Sequence, residues 1–327
     1  MTPRALAAAA AALLVTPALA QDTDEVVRVQ LGAPSVSALG DPGDREGRTY
    51  RVNGADIFVQ ESGQGPDLVL LHGYPLSGAL FSRVRPALED HFTVVTLDHR
   101  GYGQSRAGDA GGSVETYAED ALAVLDEMGI ENAIIGGMSM GGPIVFSMYE
   151  QDPERFGGMV LIDTTASAAN PAEAGLWRGT EEIIAANGMA PLYGALLPDM
   201  LSGQTRLRRP EVGAYLTDIM ESATSAAGQA GARALADRPD RQDMLGRIDV
   251  PALVIVGVED ALYSMSVSKK MADDLPDGEL AIVPGASHAA VFEAPGATAA
   301  AMLDWASRRY ANVAYDGIGE AGERRRR

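Results

Sequence analysis

The stretch Gly137–Gly141, which reads Gly-Met-Ser-Met-Gly, constrains this chain more than any other feature. Residues 132–136 before it read as a short buried strand, and residues 142–149 after it carry apolar side chains at helical spacing. A serine in this position lies on a sharp strand-to-helix turn, where glycine neighbours let the two segments approach closely. The hydroxyl of Ser139 should therefore point away from the sheet, in front of the unpaired N–H groups at the start of the helix.

A serine hydroxyl is a weak nucleophile at neutral pH, so it needs a base that changes charge near pH 7. The chain has four histidines. His288 follows an apolar run and a Pro-Gly turn, which predicts a loop at the ligand-binding edge of the sheet. His91 lies among charged residues and His99 in a polar turn, which favours surface and loop positions for them. These positions leave His72 and His288 as candidates for the base, and we predict His288 because it lies at the ligand-binding edge.

The chain from residue 67 onward alternates apolar strands, glycine-rich loops and amphipathic helices, which predicts βαβ units and a parallel sheet. The expected strands are 67–71, 92–97, 132–136, 158–162, 251–256 and 279–283, and the expected helices are 81–89, 116–128, 142–151, 267–275 and 298–309. Ahead of them, residues 49–53 and 55–61 alternate around Asn53-Gly54, a favoured two-residue hairpin turn.

The strand pattern stops at Asp163 and resumes only at Pro251. The segment 164–247 is rich in Ala, Met and Gly with helical periodicity, so we predict an α-helical cap inserted over the active site. Its apolar side chains either line a substrate pocket or pack the cap onto the core. The pocket candidates are Trp177, Leu192, Tyr193, Leu196 and Met200, with Met189 and Leu197 beside them.

Further motifs occur in a characteristic order along the chain. His72-Gly73-Tyr74-Pro75 follows one predicted strand, the residues 98–105 follow the next, and after the Gly-x-Ser-x-Gly stretch come Val258-Glu259-Asp260 and Gly285-Ala286-Ser287-His288. From about residue 50 to residue 310 this order resembles the α/β-hydrolase family, in which the serine, the acid and the histidine follow one another in that order. The resemblance implies an α/β fold with a mostly parallel eight-stranded sheet flanked by helices, and an inserted α-helical cap.

The resemblance also implies roles for individual residues. Asp260 would be the acid that orients His288. Asp163 is a rival, because some relatives carry the acid after that earlier strand. The alternative for Asp163 is a structural role in capping the inserted segment. Glu259 should point elsewhere because side chains alternate along a strand. The oxyanion would be bound by the backbone N–H groups of Met140 and Tyr74.

The resemblance makes His72 a structural residue beside the oxyanion loop, and it implies a serine hydrolase that cleaves carboxylic esters or lactones through an acyl-enzyme. Serine at position 139 argues against the haloalkane dehalogenase and epoxide hydrolase branches, which the cap otherwise resembles. The pair Ser139-Met140 also resembles cofactor-free haloperoxidases and perhydrolases. A non-catalytic ligand-binding protein on the same scaffold is a further alternative. No dinucleotide fingerprint, P-loop or metal-ligand cluster accompanies these motifs, so we expect a small-molecule substrate, no metal and no cofactor.

The net charge of −19 argues against nucleic acid and anionic membrane surfaces as partners. Residues 1–20 resemble a cleavable signal peptide, with Arg4, an apolar stretch and Ala18-Leu19-Ala20, and no later segment reads as a transmembrane helix. We expect export to a bacterial periplasm or medium, without a lipid anchor or disulfides because the chain has no cysteine. The expected organisation is a loosely ordered leader (21–47), a catalytic core (48–163 and 248–311), the cap (164–247) and a tail (312–327) that ends in four arginines.

Overall fold

The computed structural model describes residues 33–108 and 111–313 of the protein. Within these ranges the strands are β1 (Arg48–Val52), β2 (Ala55–Gly63), β3 (Asp67–Leu71), β4 (Thr93–Leu97), β5 (Ala133–Met138), β6 (Phe156–Ile162), β7 (Ala252–Gly257) and β8 (Gly278–Val283). The helices are α1 (Arg85–Leu88), α2 (Val114–Met128), α3 (Gly141–Gln151), α4 (Pro171–Asn187), α5 (Ala190–Met200), α6 (Gly203–Arg208), α7 (Pro210–Glu221), α8 (Ser225–Asp237), α9 (Gln242–Leu245), α10 (Met265–Asp274), α11 (Ala290–Glu293) and α12 (Pro295–Arg309).

All eight strands belong to one sheet in the order β1-β2-β4-β3-β5-β6-β7-β8. The strands from β4 to β8 in this order pair in parallel, whereas β2 pairs antiparallel with both β1 and β4. This is the predicted fold class. The carboxyl ends of the parallel strands consequently meet at one edge, where the loops that follow β3, β5, β6, β7 and β8 converge.

The central strands are buried on both faces, as their continuous apolar runs predict. Val69 and Leu71 of β3 belong to one apolar cluster, which also includes side chains of α2, α3 and α10. Leu68 and Leu70 belong to the other, which includes side chains of α1, α11 and α12. The sheet therefore lies between two helical layers, and the core is the pair of interfaces on its two sides.

The hairpin between β1 and β2 is confirmed at the predicted turn. Asn53 and Gly54 both adopt positive φ values, +46° and +76°, and Val52 pairs with Ala55. The predicted helix 81–89 is instead the short helix α1 after a 3-10 turn at Gly78–Phe81. The first residue of α1 is Arg85, whose buried guanidinium donates to the carbonyl of Val94 and the hydroxyl of Thr96.

The segment between β6 and β7 contains the helices α4 to α9. Within it α4 packs against α8 and α5 against α7. Two tyrosines of the core reach this layer: Tyr74 donates its hydroxyl to the carbonyl of Gly228, and Tyr102 donates to that of Ala227. The helix α8 therefore contacts the loops that follow β3 and β4.

Several features expected at the two ends of the chain, namely the signal peptide, the first part of the leader and the final arginines, lie outside the described residues. The described part of the leader is anchored by Arg45, whose guanidinium pairs with the buried Asp98 at 2.5 Å. The Gly and Pro content of the leader did not predict this anchor. Among the helices of the described ranges, none has the length and apolar character needed to cross a membrane.

Candidate active site

Ser139 lies on the turn between β5 and α3, in the left-handed region with φ +54°. A side chain at Gly137 would place its Cβ 2.3 Å from the backbone of Gly141, so the turn can close only around glycine. The conformation is fixed from both sides: Ser139 N–H donates to the carbonyl of Ile162, and the carbonyl of Ser139 accepts from the hydroxyl of Thr164 at 2.6 Å. The strained serine is thus held by the neighbouring strand and by the loop that follows it.

Three predicted site residues from distant parts of the chain meet at this turn. The Nε2 atom of His288 lies 2.8 Å from the Oγ atom of Ser139, and the Nδ1 atom of His288 lies 3.0 Å from the Oδ2 atom of Asp260. The three side chains are at least nine-tenths buried. If Nδ1–H donates to the carboxylate, Nε2 is left as the acceptor for the serine hydroxyl.

The carboxylate of Asp260 is oriented by its own loop. Its Oδ1 atom accepts the backbone N–H groups of Leu262 and Tyr263 at 2.8 and 3.0 Å, which leaves Oδ2 facing His288. Glu259 is exposed to solvent, as the alternation argument predicted. The loop after β7 therefore presents one carboxylate oxygen to the imidazole and uses the other to hold itself in place.

The rival acid, Asp163, has another set of partners. Its two carboxylate oxygens accept the backbone N–H groups of Gly257 at 2.8 Å and Ala290 at 3.1 Å. Asp163 therefore has a structural role, as the alternative to the acid role held, but it does not cap the inserted segment: it joins the end of β7 to the first residue of α11. Complete burial, and then the nearby charge of Asp260, raise the pKa of Asp163 well above its ordinary value.

The segments that carry the two predicted oxyanion donors, Met140 and Tyr74, both adjoin Ser139. Met140 follows the serine directly, and Gly73 lies against it, since a Cβ atom on Gly73 would be 2.8 Å from the Cβ atom of Ser139. This confirms the close approach that glycine at position 73 predicted. No backbone hydrogen bond within the described residues takes up the N–H group of Tyr74 or of Met140. The oxyanion role of these two N–H groups stays a prediction.

The remaining two histidines of the core are structural. His72 donates Nδ1–H to the carbonyl of Gly73 and accepts the N–H of His99 at Nε2, both at 2.9 Å. Burial lowers the pKa of His72 to about 3, so the ring is neutral at physiological pH. This pair of bonds fixes the start of the loop that carries Tyr74.

A cavity of about 460 Å³ opens onto Ser139 and His288. Its walls come from α4 (Leu176 and Trp177), from α5 (Leu196, Asp199 and Met200), and from the loop after β7 (Leu262 and Tyr263). Trp177 packs edge-to-face on Tyr74, with the ring centroids 5.5 Å apart. The cavity therefore lies between the inserted helices and the catalytic edge of the sheet.

Comparison with known proteins agrees with this architecture. The family model described as the alpha/beta hydrolase fold matches residues 66–295. The protein belongs to the α/β-hydrolase family. A similar curated protein, the pimeloyl-[acyl-carrier protein] methyl ester esterase of Vibrio cholerae, is 30% identical over 77% of this chain and 98% of its own length.

Two solved structures resemble this α/β-hydrolase over about four-fifths of its chain. A thermophilic esterase from Thermogutta terrifontis, with malate bound, has a TM-score of 0.77 at 27% identity, covering 80% of this chain and 97% of its own. The enol-lactonase of Burkholderia xenovorans LB400 has a TM-score of 0.73 at 26% identity, covering 80% of this chain and 100% of its own. The relatives of this hydrolase therefore include both esterases and a lactonase.

The cavity of the hydrolase differs in part from the predicted pocket. Trp177, Leu196 and Met200 line it, but Leu192 and Tyr193 do not. Leu192 packs in the apolar core and Tyr193 is partly buried against it, because the first turn of α5 contacts the core and only its last turns reach the cavity. The expectation for these two residues was wrong.

Sequence reasoning also missed polar residues that line the cavity of this hydrolase. Glu173, in the first turn of α4, forms an ion pair with the buried Arg238 at 2.7 Å. Tyr263 contacts His288, with the ring centroids 5.6 Å apart, and its closeness in sequence to Asp260 could have revealed it. In the described ranges, no three His, Cys, Asp or Glu side chains form a group that could hold a metal ion.

Proposed function

We propose that the protein is a serine hydrolase that cleaves carboxylic esters or lactones through an acyl-enzyme. The observation that carries this proposal is the hydrogen-bonded chain from Ser139 through His288 to Asp260, with distances of 2.8 and 3.0 Å, at the inner end of the cavity. In this arrangement each group has the partner that its role requires.

The first half of the reaction forms the acyl-enzyme. His288 Nε2 takes the proton of Ser139 as its Oγ atom attacks the carbonyl carbon of the ester, and Asp260 stabilises the imidazolium through Nδ1–H. The carbonyl oxygen becomes an oxyanion, which the N–H groups of Met140 and Tyr74 bind. When the tetrahedral intermediate collapses, His288 returns the proton to the leaving alkoxide.

The second half releases the acid. His288 removes a proton from water, the resulting hydroxide attacks the acyl carbon, and the acid leaves as Ser139 regains its proton from His288. For a lactone the alcohol and the acid remain one molecule, so the product is a hydroxy acid. Ester and lactone therefore require the same groups.

The charge of the cavity supports uncharged acyl groups as substrates. The acidic lining residues are Glu173, which is paired with Arg238, and Asp199, for which no cationic partner is found among the described residues. No Lys or Arg lines the cavity in the part of the chain that the structure describes. An acyl group that carries a second carboxylate would be repelled by Asp199, whereas an apolar chain can contact Leu196, Met200 and Trp177.

The proposal is tested with the Ser139→Ala variant and a serine-directed phosphonate. We expect the substitution to lower kcat for nitrophenyl butyrate by about four to six orders of magnitude without unfolding the protein, and the phosphonate to label Ser139 of the wild type. An active Ala variant, or a label on another residue, would refute the mechanism. If the enzyme perhydrolyses acetate with peroxide faster than it hydrolyses any ester, the perhydrolase alternative would be favoured.

A further inference from the structure

A second buried carboxylate, Glu293 in α11, lies beside the loop of His288 without taking part in the proton transfers described above. The side chain is 1% exposed. Its Oε2 atom accepts the backbone N–H of Ser287 at 2.7 Å, and its Oε1 atom accepts both the N–H and the hydroxyl of Ser202, at 3.1 and 2.5 Å. Three donors from two distant segments therefore converge on one carboxylate.

The hydrogen bond between Glu293 and Ser287 lies next to the candidate base. Ser287 directly precedes His288, so the bond to Glu293 fixes the peptide on the N-terminal side of the imidazole. On the other side, Ala289 N–H donates to the carbonyl of Met200 at 2.9 Å, and Ala290 N–H donates to Asp163 at 3.1 Å. The base is therefore held by hydrogen bonds to its neighbours on both sides.

Among the described residues, the hydrogen-bond donors found for the carboxylate of Glu293 are those of Ser287 and Ser202. Arg209 lies close, but its guanidinium contacts the backbone carbonyl of Glu293 and not the side chain. Buried acceptor oxygens hold the N–H groups that donate to them in a defined position, because moving those groups would leave buried polar atoms without partners. The fixed point lies one residue from the base.

We propose that Glu293 is a positioning residue for His288. By holding the backbone of Ser287, Glu293 sets the distance between the Nε2 atom of His288 and the Oγ atom of Ser139. This inference rests on the proposed role of His288 as the base. A misplacement of the imidazole by about 1 Å can cost on the order of 100-fold in rate, since proton transfer requires hydrogen-bond distance. Substrate contacts lie elsewhere, so the effect belongs in kcat and not in KM.

The test compares three variants in the hydrolysis of nitrophenyl butyrate. Glu293→Met removes every acceptor, and we expect kcat to fall about 100-fold with KM within about twofold of the wild type. Glu293→Gln keeps one acceptor oxygen for Ser287, so its kcat should fall only about threefold to tenfold. Ser202→Ala is the matched control, because it removes one donor to the same carboxylate and leaves the Ser287 contact intact; its kcat should stay within about twofold.

The rate of phosphonate labelling of Ser139 gives an independent reading and should fall in parallel with kcat. If Glu293→Met does not fold, the kcat and KM of Glu293→Gln are the measurements that test the positioning role. A kcat of Glu293→Met within about twofold of the wild type, a change in Glu293→Gln confined to KM, or a loss in Ser202→Ala as large as that in Glu293→Met, would overturn the positioning role. Failure of the proposed function is distinguishable, because the wild type itself would then show no labelling at Ser139.

Discussion

Replacing Asp260 by Asn tests the acid of the proposed triad at nearly constant shape. The backbone N–H groups of Leu262 and Tyr263 both point at Oδ1, so the amide oxygen of the Asn must take that place. The NH2 group of the Asn then faces Nδ1 of His288, in the place of the carboxylate oxygen that accepts Nδ1–H in the wild type. The imidazole can avoid two opposed donors only if it adopts the other tautomer, with the proton on Nε2.

This tautomer disables the base. Nε2–H would donate to Ser139 instead of accepting its proton, so attack would depend on the rare productive tautomer. The same substitution in a well-studied serine protease lowers kcat by about 10⁴, and we expect a loss of that order here. The assay is kcat for nitrophenyl butyrate, with the melting temperature measured in parallel; we expect the melting temperature to change little.

Asp163→Asn is the matched control. Both oxygens of Asp163 accept backbone N–H groups, so the amide would leave one donor without a partner, at a cost of about 1–3 kcal/mol in the free energy of unfolding. We expect kcat to stay within about tenfold of the wild type. A large loss of kcat in Asp163→Asn, together with an active Asp260→Asn variant, would refute the assignment and move the acid to Asp163.

Four further predictions follow from the site and the chain. In a series of nitrophenyl esters of increasing acyl length, kcat/KM should rise by up to about fourfold per methylene and then fall, since each buried methylene contributes about 0.8 kcal/mol until the cavity is full. Leu196→Ala or Met200→Ala should move the maximum of kcat/KM to longer acyl chains. Asp199→Asn should raise kcat/KM for a succinate half-ester roughly tenfold and leave the butyrate ester unchanged; equal effects on both esters would contradict the charge argument. Because burial lowers the pKa of His72 to about 3, the unfolded chain takes up a proton between pH 6.5 and 3 that the folded protein does not, so the free energy of unfolding should fall as the pH falls through this window. Denaturant unfolding should show a shallower fall with pH in His72→Gln than in the wild type. The same dependence on pH in both proteins would contradict this prediction. We also propose export, in which case N-terminal sequencing of protein from the native host should find Gln21 first, whereas a retained Met1 would oppose it.

The strands and the candidate site residues Ser139 and His288 could be predicted because each carries a local signal. Residues 67–71 were predicted and observed as a strand, since an apolar run between polar turns admits few other structures. Ser139 and His288 follow strands whose carboxyl ends share one edge of the sheet, so their meeting follows from topology. Preference for Asp260 over Asp163 depended on family resemblance, because both residues follow such strands.

The lining of the cavity could not be predicted in the same way. Leu192 and Leu196 are one helical turn apart and chemically alike, yet the first packs in the core and the second lines the cavity. Which part of an apolar helix faces a cavity depends on how its neighbours pack, and that leaves no periodic signal in the helix itself. The pairing of Glu173 with Arg238 joins residues far apart in sequence, where no local pattern indicates a partner.

The inserted helices leave the sheet and return to it at neighbouring strands. Ile162 at the end of β6 pairs with Ile255 in β7, and Asp163 N–H donates to the carbonyl of Ile255. Because β6 and β7 are parallel, the segment leaves the sheet at its carboxyl edge after Ile162 and returns at the opposite edge before Ala252, so a recombination that exchanges the helices must also keep this crossover. Such a chimera would keep the position of His288 only if the donor segment placed a backbone carbonyl where that of Met200 accepts the N–H of Ala289.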